Sequence, residues 1–286
     1  MENKMSYAEF KEQIMDELAA MPHLKGELRH REVIKPNRQE MTGIYLDCQD
    51  RTPRPMAYLE EIYQEYLEHG DFDKTLKLVA WTISQEHPSE ELRRLDFANC
   101  QDQLICDLVG IKQNQELLER IPHVRENDTA VIFRILLYTE EEGHATCLVN
   151  EEIQKELGMT RKAIYEKAME NTARLLPAVT MELGPNLTVL SNKDLSHGAI
   201  CMLYPGALEK IAEEKGVDLY ILPSSIHEVL AVPDDGELSA ADLQTMVREA
   251  NRTCVAPDEL LTDSVYRYSR EDGVIHRCKE TPQRVR

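Results

Sequence analysis

The longest apolar run in the chain, Ala130 to Tyr138, is broken by Arg134. A membrane-spanning helix needs about 18 consecutive apolar residues, so no span is expected. Within the run, Val131, Phe133, Ile135 and Leu137 alternate with Ile132, Arg134 and Leu136. Period-two alternation rich in β-branched residues predicts a strand. Gly143 turns it toward a second strand at Ala145 to Val149, so a hairpin is expected here.

Around this hairpin the chain is punctuated by helix signals. Ser6 and Glu9 form a capping box ahead of Tyr7, Phe10, Ile14 and Leu18, which predicts a helix over 7–20. A hairpin follows over Glu27 to Ile34 and Glu40 to Asp47, turning at Pro36-Asn37. Leu59, Ile62, Tyr63, Tyr66 and Leu67 mark a helix closed by Gly70, and Asp71 caps another that stops before His87-Pro88. A short strand at Gln103 to Val109 and a helix at Gln113 to Arg120 come next. Asn150 and Thr160 then cap two helices, ending at Gly158 and Pro177.

The last hundred residues read as strands at Thr188 to Leu190, Ala199 to Tyr204, Leu219 to Leu222 and Ile226 to Val232. A helix from Gly206 to Lys215 lies among them. Ser239 and Asp242 form a second capping box, and a hairpin around Asp272-Gly273 ends the pattern. The fold class expected is α+β: mixed sheets formed by hairpins, one β-α-β unit spanning Ala199 to Leu222, and amphipathic helices packed on them. Two regions are expected, 1–122 and 123–280, with a frayed tail at 281–286. No fixed-period repeat is present, which excludes solenoids.

Composition settles what partners to expect. The 286 residues carry 52 acidic against 33 basic side chains, a formal charge of −19. Such a surface repels phosphate backbones, so non-specific nucleic-acid binding is not expected. No apolar segment follows a basic one near Met1, so no secretory signal is read. Seven scattered cysteines without a C-x-x-C pair point to reduced thiols and a cytoplasmic protein.

Signatures of P-loop, Rossmann, zincin, α/β-hydrolase and EF-hand sites are all missing from the sequence. The densest group of reactive side chains is Ser224, Ser225, His227 and Glu228. On a strand, Ser225 and His227 share one face about 6.6 Å apart. They are the candidate catalytic pair, nucleophile and base, with Glu228 or Asp235 as indirect acids. The competing expectation makes His227 a buried hydrogen-bonding strut. Asn171 and Arg174, late in the Thr160 helix, are candidate pocket residues. His144 with Cys147, and His197 with Cys201, have ligand-like spacing but no second ligand pair, so no metal is expected and no cofactor either. The acidic runs at Glu140 to Glu142 and Asp234 to Glu237 read as solvated turns.

The segments GMTRKAIYEKAMENTARLLPAV, LYILPSSIHEVLAVPDDG and LQTMVREANRTCVAPDELLTDSVYRYSRE resemble an uncharacterised family of anaerobic Gram-positive bacteria, the domain of unknown function numbered fifty-six eighty-eight. The similarity extends to PMAYLEEIYQEYLEHGDF and IPHVRENDTAVIFRILL, and LYILPSSIHEV is its most specific string. It implies a bacterial cytosolic protein and supplies no mechanism. It adds Tyr204, beside Pro205-Gly206, to the binding candidates Ser224, Glu228, Asn171 and Arg174.

Three functions follow, in order of preference. The first is a non-catalytic binding or interaction protein with a basic protein partner, since catalytic signatures are missing and the surface is acidic. The second is a small-molecule hydrolase or transferase using Ser225 and His227. The third is an acidic nucleic-acid mimic.

Overall fold

The computed structural model describes residues 4–37, 40–48, 55–85, 96–140 and 143–279. The His87-Pro88 stop, Glu141, Glu142, the His144 side chain and the tail at 281–286 lie outside the described residues. The chain divides into two compact units, Met1–Asp96 and Phe97–Arg286.

In the first unit, α1 (Tyr7–Ala19) is followed by the strands β1 (Glu27–Ile34), β2 (Glu40–Asp47) and β3 (Ala57–Tyr58), then α2 (Leu59–His69) and α3 (Phe72–Ser84). The strands form one antiparallel sheet in the order β1-β2-β3. Both halves of the Ser6/Glu9 capping box are made, Gly70 adopts the left-handed conformation at φ 71°, and Asp71 caps α3 through the Lys74 N–H. These local signals place three amphipathic helices whose apolar faces, led by Phe10, Ile14, Leu59, Ile62 and Val79, bury against Ile44 and Leu46 of β2.

The second unit contains two sheets. In one, β6 (Thr129–Glu140) pairs along one edge with β4 (Leu104–Gly110) and along the other with β5 (His123–Glu126) and β7 (Gly143–Leu148). The apolar run that opens the sequence reading is thus the central strand, with Val131, Ile132, Phe133 and Ile135 buried. Because β4 pairs with β6 from Leu104 to Gly110, residues 97–122 belong to this unit. The boundary therefore falls after Asp96, earlier than the one expected after Pro122. Helix α4 (Gln115–Arg120) lies between β4 and β5, and α5 (Glu151–Leu157) and α6 (Arg161–Leu175) follow β7. Asn150 and Thr160 cap these last two as expected.

The second sheet is antiparallel between neighbours, in the order β13-β12-β10-β11-β9-β8. Its strands are β8 (Ala178–Gly184), β9 (Leu187–Asn192), β10 (Leu219–Leu222), β11 (Val229–Pro233), β12 (Tyr266–Tyr268) and β13 (Ile275–Arg277). Helix α7 (Ala207–Lys215) precedes β10 and α8 (Ala240–Thr253) follows β11. The expected strand at Ala199 to Tyr204 is instead a 3-10 helix, Gly198–Leu203. Its residues are buried from Gly198 to Met202, and a short apolar run buried all round carries no periodicity to separate strand from helix. The β-α-β unit is accordingly split. It runs from β9 through α7 to β10, two strands that point the same way with β11 between them.

Candidate functional site

Arg134 interrupts the central strand β6 because its partners lie on both neighbouring strands. It faces Ile105 on β4 and Leu148 on β7, so Asp107 and Thr146, each two residues along, share its face of the sheet. Arg134 Nε donates to Asp107 Oδ2 at 2.9 Å and Nη1 to Thr146 Oγ1 at 3.2 Å. Asp107 is a carboxylate with a side chain only 4% exposed. His197 reaches it from the loop after β9, with Nδ1 3.1 Å from both carboxylate oxygens. An ionised carboxylate only accepts, so the imidazole proton sits on Nδ1. Burial pushes the Asp107 carboxyl up, but His197 and Arg134 outweigh it and hold it well below the ordinary carboxylate range. Reciprocally, the Asp107 charge and hydrogen bond raise His197 above the usual imidazole value, against burial and Arg134.

The loop that presents His197 is fixed by its own side chains. Asn192 accepts from the N–H groups of Asp194 and Ser196 and donates to the Ser196 carbonyl. His197 itself adopts φ 52°, a left-handed conformation that costs a non-glycine residue energy. The next residue must be glycine for a different reason. A Cβ at Gly198 would lie 2.1 Å from Ser191 Oγ and 2.6 Å from the His227 carbonyl oxygen.

That carbonyl identifies the role of His227. It accepts from Ser191 Oγ at 2.7 Å and from the Gly198 N–H at 2.9 Å. The ring Nδ1 accepts from the His197 N–H at 3.2 Å, which leaves the proton on Nε2, 3.4 Å from Glu259 Oε1. The two imidazoles meet edge to face with centroids 5.6 Å apart. Residues 224–228 are loop, not the strand that sequence reading expects, and β11 begins only at Val229. Ser225 forms a bridge with Leu260, and its Oγ accepts from the backbone N–H of His227 at 3.0 Å. The buried serine thus bonds the main chain of His227 while the imidazole is spent on His197 and Glu259.

The remaining sequence candidates are dispersed. The Ser224 carbonyl accepts from the Leu261 N–H. Asn171 is buried and donates to the carbonyls of Gln101 and Leu104, pinning α6 to the start of β4, and Arg174 donates to its Oδ1. Glu228 is half-buried and outside any hydrogen bond or ion pair among the described residues. Tyr204 donates its phenol to the Leu176 carbonyl at 3.1 Å and lines a separate cleft. Cys201 is buried, its thiol pushed up to about 12 by burial, and has no part in a site with His197. Among the described residues no three His, Cys, Asp or Glu side chains gather to hold a metal ion, and no helix is long and apolar enough to cross a membrane.

A groove of about 330 Å³ lies where α8 packs on β10 and β11. Leu230, Val232, Leu243 and Met246 line it, and its charged lining residues are Asp235 and Glu237, both exposed and both acidic. Met246 is 57% exposed on the helix and Leu238 38% exposed on the loop beside it. Sequence reading treats 234–237 only as a solvated turn, because nothing in it reveals that apolar strand residues open beside the turn.

Fold and site together define an α+β protein in which imidazole and carboxylate groups stitch loops to sheets, with an apolar groove left open on one sheet face. The chain belongs to a family of unknown function, DUF5688, whose model matches residues 7–188 and 182–270. No curated protein and no solved structure shows a significant match to it.

Proposed function

We propose that this chain is a non-catalytic binding protein that docks an amphipathic segment of a partner protein, apolar on one face and basic on the other, in the groove beside α8. The observation that carries the reading is the pairing of an open apolar trough with an exclusively acidic rim. Burying an apolar side chain in such a trough contributes roughly 1.5–3 kcal/mol, and the rim carboxylates steer a Lys- or Arg-bearing partner through the field of a chain with charge −19. A bacterial, cytoplasmic setting is part of the proposal. It is supported by seven cysteines of which none, as described, is in a disulfide.

The hydrolase reading finds no support in the geometry, since Ser225 Oγ is held by the His227 main chain and lies buried. The acidic-mimic reading rests on net charge alone.

A synthetic helical peptide with Leu on one face and Lys on the other tests the docking reading by fluorescence anisotropy. Saturable binding that weakens with salt is expected, with loss of binding for Met246→Glu and none for the corresponding Glu/Leu peptide. Equal binding by the wild type and Met246→Glu would overturn it.

A further inference from the structure

β8 is the outermost strand of the six-stranded sheet. Natural sheet edges are protected by shortness, by charged side chains or by a covering element. The opposite edge, β13, follows that rule, being three residues long and holding His276 and Arg277. In the first unit, the edge strand β1 presents Glu27, Arg29, Arg31 and Glu32. β8 instead runs from Ala178 to Gly184 with Glu182 as its single charge, and Lys215 neutralises that charge at 2.7 Å. A bulge falls at its far end, between Glu182 and Gly184, and leaves 178–182 regular. The main chain of 178–182 bonds β9 alone among the described residues, so its outward N–H and carbonyl groups have no protein partner.

A second observation concerns the side chains. Six of the seven positions in β8 are exposed, Met181 by 40% and Leu183 by 64%. Met181 lies opposite Val189, Val189 opposite Leu230, and Leu230 opposite Leu222. Residues directly opposite share a face, so an apolar row that lines the groove at Leu222 and Leu230 runs on to this edge and ends in solvent. The strand thus offers both main-chain hydrogen bonds and apolar side chains, the two parts of recognition by strand addition.

We propose that a second copy of this chain adds to this edge, β8 against β8, antiparallel about a two-fold axis at Thr180. A two-fold interface has to be complementary to itself, and residues 178–182 are. About that axis Val179 meets the partner's Met181, Thr180 meets the partner's Thr180, and Glu182 meets the partner's Ala178. No like charges stand opposite one another. An axis at Glu182 would set two carboxylates face to face, which is destabilising, and one at Met181 would carry the pairing into the bulge. This pairing does not depend on what occupies the groove.

Sedimentation velocity of the full chain over a concentration series provides the test. A reversible monomer–dimer equilibrium is expected, strengthened by salt because screening weakens the repulsion between two copies of charge −19. Groove docking weakens with salt, so the two readings fail separately. Thr180→Lys and Thr180→Glu each set like charges opposite and should weaken the dimer about tenfold or more. An equimolar mixture of the two variants should recover it, since Lys then faces Glu. Gln13→Lys, exposed on α1, adds the same charge elsewhere and should leave the equilibrium unchanged. If a variant fails to fold, hydrogen exchange on the wild type decides, with β8 amides expected to be better protected at high concentration than at low. A chain monomeric throughout, a dimer unaffected by Thr180→Lys, a mixture that stays monomeric, or protection gained elsewhere and not in β8 would each overturn the proposal.

Discussion

His197 is the residue on which most of the local chemistry turns, and its pH behaviour follows from its partner. Asp107 is depressed, so its contribution is present above the unfolded carboxylate value near ~3.9 and is lost as pH falls through the lower folded value. His197 is raised, so its contribution is complete below the unfolded imidazole value near ~6.5 and disappears as pH rises through the higher folded value. The pair therefore stabilises the second unit most between about pH 4 and 6.5. Melting midpoints of the wild type and His197→Ala, measured from about pH 5 to pH 9, should converge as pH rises. A gap that stays constant would remove the ion pair from the explanation. With nearly half of the His197 side chain in solvent, the effect is a shift in slope and not a collapse. None of this is legible in the sequence, where Asp107, Arg134 and His197 are far apart: Arg134 stands out only as the break in an apolar run and His197 only for its spacing from Cys201.

At the scale of single elements, sequence reading succeeds wherever a boundary has a local cause. β1 and β2 span the expected Glu27–Ile34 and Glu40–Asp47, and α8 begins at the Ser239/Asp242 capping box with both reciprocal bonds made. Ser239 Oγ accepts from the Asp242 N–H at 3.2 Å, satisfying a donor the helix cannot. Ser239→Ala should cost about 1 kcal/mol of stability, read as a lower denaturant midpoint with an unchanged slope. A substitution without effect would mean that packing on β10 holds α8 by itself. Reading fails where the cause is not local. Gly198–Leu203 is apolar and short, and β9 is already flanked by β8 and β11, so no edge remains there for another strand. Strands β5 and β8 are missed because His123 to Glu126 is too short and Ala178 to Gly184 too exposed to show a buried face.

For the whole molecule, two units with separate cores predict two steps on heating. Calorimetry should resolve them, and Gly198→Ala should lower only one. A Cβ there must displace Ser191 Oγ and two backbone atoms, and such overpacking costs typically about 1–3 kcal/mol. A single transition in both proteins would show that the chain unfolds as one unit. Taken alone, the sequence determined the α+β class, nearly every capped helix and most strands, because caps, turns and periodicity act within a few residues of their cause. It determined the acidic field as well, since charge is additive. The tertiary structure alone decided that residues 97–122 join the second unit, that the Asp107, Arg134 and His197 groups meet, that Ser225 bonds a main chain and not an imidazole, and that an apolar groove opens beside an acidic turn. Those outcomes depend on which strands pair and in what register, and strand pairing is a choice between distant segments that no local pattern encodes.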